Sequence, residues 1–238
     1  LRIGGMQIFH LEGDDPYEKF LPKISSVVSK IIIVYSVLTA ILFILYYLAE
    51  MSLFDALAHS FTTISTGGFS THNDSFSYFN SSKILFIAII FMIIGSFPFL
   101  VIAKISLNNV FAVFKDNQSR VFLLILLVSI CIVYYFAHDY VSGNIFEKLV
   151  SIAFNTISII SGTGFISENF EDWGNYASVL FLLLMFIGGC AGSTTGGLKI
   201  FRFQILFKYI RLHLKRMLQP HAAVSYTHLT LPTIVRVL

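Results

Sequence analysis

Charged side chains are scarce in this sequence. Asp, Glu, Lys and Arg together make up 12% of its 238 residues, whereas hydrophobic residues make up 56%. A soluble globular protein carries roughly 25% charged residues, so about half of the expected solubilising groups are missing. This shortage argues against an ordinary soluble domain and favours a chain that is surrounded by lipid.

Two further shortages exclude some classes of partner and site. The net charge is only +3, which argues against nucleic acid as a partner. Cys131 and Cys190 are the two cysteines, and both lie inside apolar runs, so we expect neither a disulfide framework nor a metal cluster. No signal peptide is evident. Because the chain begins at Leu1 rather than at a methionine, we expect an internal fragment of a longer protein.

Long apolar runs are abundant. A helix needs about 20 residues to cross the hydrocarbon core of a bilayer, and four runs are candidates: 27–48, 84–103, 121–137 and 176–188. Two shorter, semi-apolar segments lie between them, at 54–64 and 146–160. Such segments are typical of re-entrant pore helices, although helices lying at the membrane surface have the same pattern.

The basic residues of the connecting segments predict the orientation. They follow the second span (Lys104, Lys115 and Arg120) and the fourth span (Lys199, Arg202, Lys208, Arg211, Lys215 and Arg216). Loops rich in Lys and Arg face the cytoplasm. Both semi-apolar segments therefore open to the outside. Lys199 is interpreted as an anchor at the cytoplasmic end of a span, with a ligand or gating contact as the alternative.

The sequence contains the same unit twice. Phe-Thr-Thr-Ile-Ser at 61–65 is echoed by Phe-Asn-Thr-Ile-Ser at 154–158, and each leads into a glycine-rich turn that ends in Gly-Phe. The second copy has three more residues before its Gly-Phe. The turns consist of Ser65, Thr66, Gly67, Gly68 and Phe69 in the first copy, and Ser161, Gly162, Thr163, Gly164 and Phe165 in the second. Each unit is predicted to run span, pore helix, turn, span.

These turns suit the binding of a dehydrated cation. Potassium crossing a membrane exchanges its water for other oxygens, and rings of backbone carbonyls supply them in known filters. Glycine allows the backbone conformations that such a ring requires, and a short helix aimed at the pore directs its negative end toward the cation. The alternative is a pair of ordinary surface loops capped by glycine. Two copies on the same predicted side favour the filter.

A second glycine-rich stretch predicts a break in the fourth span. Each glycine inside a helix costs roughly 1 kcal/mol relative to alanine, and broken membrane helices line cavities and move. We expect a flexible loop that gates ion passage; close helix packing or a simple turn are the alternatives. A Walker A motif is absent, since Leu198 precedes Lys199, and no enzymatic chemistry is expected. The predicted gate consists of Gly188, Gly189, Gly192, Ser193, Thr194, Thr195, Gly196 and Gly197.

With these motifs the sequence resembles the Trk/Ktr/HKT superfamily of potassium transporters, most closely the bacterial Trk-type membrane subunit. The likeness covers residues 1 to about 224. It is carried by Gly5-Met6-Gln7, by the segments 51–56, 67–72 and 188–199, and by Thr163-Gly164-Phe165.

The resemblance implies a pore of four such units around one ion path, of which this chain holds the second and third. Gly68 and Gly164 correspond to filter glycines, and 188–197 to the gating loop of the third unit. The resemblance also implies potassium as the transported ion, no organic cofactor, a homodimer in membrane lipid, and a cytosolic nucleotide-binding regulatory ring. The location is the bacterial inner membrane, crossed several times.

The predicted fold is an all-α integral membrane protein with tandem span–pore helix–span units and a broken fourth span. Its segments are a cytoplasmic N-terminus (1–26), the second pore unit (27–103), a cytoplasmic link (104–120), the third pore unit (121–197), an amphipathic basic segment (198–224) and a tail expected to be non-native (225–238). A secondary transporter of another cation or solute, or a non-transporting membrane subunit, stays open as an alternative, and so does sodium as the ion.

Overall fold

The computed structural model describes residues 24–103 and 112–218, in which the regular secondary structure is helical. Predictions for the remaining residues, including the Gly5-Met6-Gln7 motif, Lys104 and the 225–238 tail, lie outside the described part. The α-helices are α1 (Ile24–Leu48), α2 (Leu53–Ile64), α3 (Ser82–Gly95), α4 (Phe99–Ala103), α5 (Ala112–Lys115), α6 (Asn117–Ala137), α7 (Ile145–Ile160), α8 (Asn175–Leu184) and α9 (Ile200–Leu218). Two 3-10 helices, Ser75–Phe79 and Phe170–Trp173, precede α3 and α8.

Helices α1 and α6 have the length and composition of membrane spans. The apolar stretches are 22 residues in Val27–Leu48 and 21 in Asn117–Ala137. Large apolar side chains on both helices are exposed, among them Ile32, Ile33, Ile44, Leu124, Leu127 and Tyr135. A soluble monomer rarely exposes a contiguous apolar surface of this kind. Both helices therefore present surfaces that suit lipid.

The second and fourth predicted spans are shorter than expected. Helix α3 ends at Gly95, and α4 begins only after Pro98, because proline has no N–H to donate and disfavours helical geometry in the residue before it. Helix α8 has 10 residues and ends at Leu184. The glycine-rich stretch that follows is non-helical up to Lys199.

Capping residues fix where the two short helices begin. Ser52 precedes α2 and its Oγ accepts a hydrogen bond from Asp55 N at 3.1 Å. The Glu147 carboxylate in the first turn of α7 accepts one from Asn144 N at 2.9 Å. Both contacts satisfy N–H groups that the first turn of a helix leaves without partners.

The described helices fall into two similar halves. In the first half α1 packs on α2 and α4, and in the second half α6 packs on α7 and α8. Helix α3 packs on α7 and joins the halves. At the joint the buried ring of Phe76 lies 4.5 Å from that of Phe165 and 5.2 Å from that of Phe154, centroid to centroid. The repeat in the sequence thus corresponds to a repeat of helix packing.

The chain divides into two compact units, 1–202 and 203–238. The candidate site lies in the first unit. The described part of the second unit, 203–218, is helical.

Candidate functional site

The first turn, residues 65–69, follows α2 directly. Ser65 caps the helix by donating its N–H to Phe61 O, and Gly67 N donates to Thr62 O at 2.8 Å. Thr66 and Gly68 have left-handed φ angles of 51° and 69°. Thr66 tolerates this conformation with a hydrogen bond from its Oγ1 to the Ser65 carbonyl at 2.7 Å. The chain therefore reverses sharply at the C-terminal end of α2.

The second turn, residues 161–165, follows α7 in the same way. Ser161 N donates to Ile157 O and Thr163 N to Ser158 O. Gly162 and Gly164 have φ angles of 70° and 84°. The left-handed positions thus coincide in the two turns, with Thr66 in the first taking the place of Gly162 in the second.

The structure corrects the register of the repeat. Three backbone hydrogen bonds match between the turns: Ser65→Phe61 with Ser161→Ile157, Thr66→Thr63 with Gly162→Ile159, and Gly67→Thr62 with Thr163→Ser158. No residues are inserted between the second helix and its Gly-Phe. The length difference lies in the helices, of 12 residues in α2 and 16 in α7. The similar Phe-x-Thr-Ile-Ser sequences at 61–65 and 154–158 are therefore not structurally equivalent, because the second lies three residues before the true equivalent of the first.

The two turns lie against each other. A Cβ added at Gly68 would lie 1.8 Å from the carbonyl oxygen of Thr163, so a glycine is required for this approach. The segments after the turns are also joined, because Phe76 N donates to Ile166 O at 3.1 Å and Ile166 N donates to Ser75 Oγ at 3.2 Å. Residues far apart in the sequence thus form one continuous site.

Main-chain oxygens of both turns are available to a ligand. Within the described residues, no hydrogen bond is accepted by the carbonyls of Thr66, Gly67, Gly68, Gly162, Thr163 and Gly164. Both turns also follow the C-terminal ends of helices, where the helix dipole places partial negative charge. The arrangement suits a monovalent cation that has lost part of its water.

The two Gly-Phe phenylalanines have different surroundings. Phe165 is 2% exposed and packs on Phe76 of the first half, whereas Phe69 is 78% exposed. A large exposed aromatic ring beside a buried site is costly in water. The first turn therefore ends in an apolar side chain that the described residues leave uncovered.

The glycine loop, residues 188–197, is held by backbone hydrogen bonds to the interruption between α3 and α4. Cys190 N donates to Ser96 O at 3.0 Å, Thr194 N to Gly95 O at 3.2 Å, and Phe99 N to Gly192 O at 3.1 Å. These bonds satisfy backbone groups that the broken helices leave without intrahelical partners. The interruptions of the second and fourth predicted spans thus stabilise each other.

The glycine loop also reaches both turns. Thr194 Oγ1 donates to the carbonyls of Ile64, at 2.9 Å, and Gly95, at 3.1 Å, and Ile64 is the last residue of α2. Near the second turn, a Cβ at Gly162 would lie 3.5 Å from Gly196 N. The loop is therefore in contact with the end of each short helix.

Comparison with known proteins assigns the family. The TrkH family, described as cation transport proteins, matches residues 10–236. This chain belongs to the TrkH family. The match extends into 225–238, the stretch expected from its sequence to be non-native.

Several relatives within the TrkH family are Trk system potassium uptake proteins. TrkH of Vibrio parahaemolyticus is 37% identical over 232 residues, covering 94% of this chain and 48% of that protein. TrkH of Escherichia coli K12 is 35% identical over 230 residues, covering 94% and 47%. TrkI of Halomonas elongata is 33% identical over 219 residues, covering 92% and 44%. The chain spans about half the length of these relatives.

The helical fold is also that of a solved TrkH structure. The crystal structure of the potassium transporter TrkH from Vibrio parahaemolyticus superposes with a TM-score of 0.79 at 32% identity, covering 87% of this chain and 45% of that one. The predicted resemblance to the Trk superfamily is confirmed. The family is one of cation transport proteins rather than a class of enzymes.

Lys199 folds back onto the glycine loop. Its ammonium donates to the Thr195 carbonyl and lies 3.2 Å from Thr195 Oγ1 and 3.3 Å from Ser193 Oγ. These contacts favour the alternative of a gating contact, and the anchor at the cytoplasmic end of a span stays a prediction. A long flexible side chain followed by a helix gave no sign in the sequence that it would fold back on the preceding loop.

Two carboxylates lie near the turns. Burial works to raise the pKa of Asp55, but hydrogen bonds from Thr71, Ser52 and His72 outweigh it and hold that pKa below its usual value. Burial raises the pKa of Glu168 above its usual value, against the opposing hydrogen bonds of Ser151 and Trp173. Hydrogen bonds thus stabilise the ionised form of Asp55, whereas burial disfavours that of Glu168.

Other residues of the site were not predicted. Gln118 Oε1 accepts a hydrogen bond from Ala191 N at 3.1 Å, and the Ser96 and Gly95 carbonyls support the glycine loop. Pro98, in the middle of an apolar run, was a visible sign of the interruption. Gln118 gave none, since its contact joins residues that are distant in the sequence.

Proposed function

We propose that this chain forms part of the ion path of a Trk-type potassium uptake transporter. In this proposal the carbonyls of the first and second turns replace water around potassium, and the glycine loop gates the path. The observation that carries it is the direct contact of two turns of the same geometry, whose carbonyls at Thr66–Gly68 and Gly162–Gly164 accept no hydrogen bond from described residues.

The position of the turns supports the choice of a filter over surface loops. Each turn ends a short helix, α2 or α7, that packs on a helix of membrane-spanning length. A surface loop has no need of unpartnered carbonyls at the negative end of a helix, whereas a cation site uses both features. We therefore assign α2 and α7 as pore helices of two tandem units.

The glycine loop supports a gate because it touches the site at two places. Thr194 binds the last carbonyl of α2, and Gly196 lies near Gly162. A loop held by glycines and by a few hydrogen bonds moves more easily than a helix. Its displacement would change both the width of the path and the support of the first turn.

The exposed Phe69 supports further pore units around the same ion path. Phe165 packs on the preceding unit of this chain, so the equivalent Phe69 requires an equivalent neighbour. We propose that the whole transporter has two further units, forms a homodimer in the lipid of the bacterial inner membrane, and binds a cytosolic nucleotide-binding ring. The proposed segment boundaries are those predicted from the sequence.

A chimera tests the proposed function. Residues 24–218 of this chain replace the matching segment of full-length Vibrio parahaemolyticus TrkH, and the product, here called the chimera, is expressed in a host that lacks its own potassium uptake. We expect growth at low external potassium and saturable uptake of rubidium as a potassium tracer. The alternative ion is tested with radioactive sodium.

The control for folding is the amount of chimera in the membrane. The proposal would be contradicted by a chimera that reaches the membrane in normal amount and is a dimer in detergent solution, yet supports neither growth nor rubidium uptake. Uptake of sodium in preference to rubidium would contradict potassium as the ion.

A further inference from the structure

The Lys199 side chain folds back onto the glycine loop. Its Nζ lies within hydrogen-bonding distance of four oxygens from two loop residues, the carbonyl and hydroxyl of Ser193 and the carbonyl and hydroxyl of Thr195. We propose that Lys199 is the latch of the glycine loop: its ammonium holds the loop closed, and the loop opens when the ammonium leaves these oxygens. This inference rests on the proposed function of the loop as a gate.

The loop oxygens form a site that suits a compact positive charge. Ser193 Oγ and Thr195 Oγ1 lie 2.7 Å apart, and both face the same ammonium. A lysine ammonium has three donors and no acceptor, and hydrogen bonds to a charged group are stronger than neutral ones. The ammonium therefore brings together two residues that glycines on either side leave free to separate.

The latch is connected to the rest of the loop. Ser193 Oγ donates to Cys190 O at 2.7 Å, and Thr195 Oγ1 accepts from Gly189 N at 3.0 Å. Thr194, between the two latched residues, binds the last carbonyl of α2. Fixing Ser193 and Thr195 therefore also fixes the contact between the loop and the first turn.

The charge of the Lys199 ammonium opposes ion passage, as do the hydrogen bonds by which it holds the loop closed. A positive charge beside an ion path disfavours a cation at that point, as basic residues do in other selective pores. Lys199 directly precedes α9, whose first residue, Ile200, donates its N–H to Gly189 O at 3.1 Å. A displacement of the start of α9 withdraws both the ammonium and this bond from the loop.

The test compares basal rubidium uptake in variants of the chimera, reconstituted without any soluble partner. Lys199→Gln and Lys199→Met should raise basal uptake about tenfold, since one hydrogen bond to a charged group shifts an equilibrium by about that factor or more. Ser193→Ala, which removes one acceptor, should raise it less. Lys208→Gln, a charge-matched control on α9 outside the loop, should leave it unchanged.

Chemical restoration of the charge distinguishes a latch from a merely structural role. Lys199→Cys is made in a Cys131→Ser background; Cys190 is retained because it is buried. We expect Lys199→Cys to raise basal uptake, aminoethylation with 2-bromoethylamine to lower it again, and carbamidomethylation with iodoacetamide, which adds no charge, to leave it high. The control applies the same two reagents to the Cys131→Ser parent, which still has Lys199. Any change in its basal uptake measures reaction at other sites.

The outcomes separate this inference from the proposed function. If the parent chimera takes up rubidium but Lys199→Gln, Lys199→Met and Lys199→Cys keep its basal rate or lower it at equal abundance, the latch is refuted and the transport function stands. A raised rate that aminoethylation does not reverse also refutes the latch. If the parent itself fails to take up rubidium, the proposed function fails first.

Discussion

Replacing Gly68 with alanine is the sharpest test of the contact between the two turns. The new Cβ would lie 1.8 Å from Thr163 O, whereas real Cβ contacts essentially never fall under 3.0 Å. One turn must therefore move by about 1 Å, and overpacking of this kind costs about 1–3 kcal/mol. The left-handed φ of 69° adds about 1 kcal/mol for a residue with a Cβ.

Gly174→Ala is the matched control for this substitution. Gly174 also has a positive φ, of 89°, here with an extended ψ of 164°, but its Cβ would meet only the Tyr140 side chain, with Oη nearest at 3.6 Å, and it lies outside both turns. This variant should lose about 1–3 kcal/mol of stability from backbone strain and keep its uptake. Gly68→Ala should lose about 2–4 kcal/mol in all, and displaced carbonyls should lower the uptake rate at least about tenfold.

The assay is rubidium uptake by the chimera, divided by its amount in the membrane, together with its melting temperature in detergent. Uptake at the parent rate in Gly68→Ala would refute the contact between the turns as the basis of ion passage. Equal loss of uptake in Gly174→Ala would also refute it, since backbone strain alone would then explain the effect.

The remaining predictions concern the glycine loop and the carboxylate beside the first turn. Gly188→Ala, whose Cβ would lie 2.1 Å from the Gly196 carbonyl, should disrupt the loop and lower melting temperature more than Gly196→Ala, which meets nothing within 4 Å. Thr194→Val removes the hydroxyl that binds Ile64 O and should cost about 1 kcal/mol in unfolding experiments; an unchanged melting temperature would contradict this. Asp55→Asn should destabilise the chimera at neutral pH, because the folded pKa of Asp55 is depressed. That stabilisation is present above the unfolded pKa near 3.8 and is lost as pH falls through the lower folded value, so the two proteins should melt alike only in strong acid.

Local composition predicted much of the fold. The apolar runs at 27–48 and 121–137 end where α1 and α6 end, and the semi-apolar segments correspond to α2 and α7. Gly68, Gly162 and Gly164 in the two turns lie at left-handed positions, as the repeated Gly-Phe pattern led us to expect. These features depend on residues that are close in sequence, so the sequence alone carries them.

Features that depend on distant contacts were not predictable in the same way. The docking of Lys199, the hydrogen bond from Thr194 to Ile64, and the burial of Phe165 against Phe76 all join separate segments. The register of the repeat was misread because similar letters recur three positions away from the true equivalents. Pro98 is the exception, since a proline in an apolar run is a local sign of a helix break.

Anomalous scattering from a heavier cation is the most direct test of the central claim that the two turns bind an ion with main-chain oxygens. Crystals of the chimera soaked in thallium, a potassium substitute, should show an anomalous peak within direct contact of carbonyls from both the first turn (65–69) and the second turn (161–165). Thallium that binds elsewhere along the protein, with these carbonyls turned away from any ion, would contradict the account.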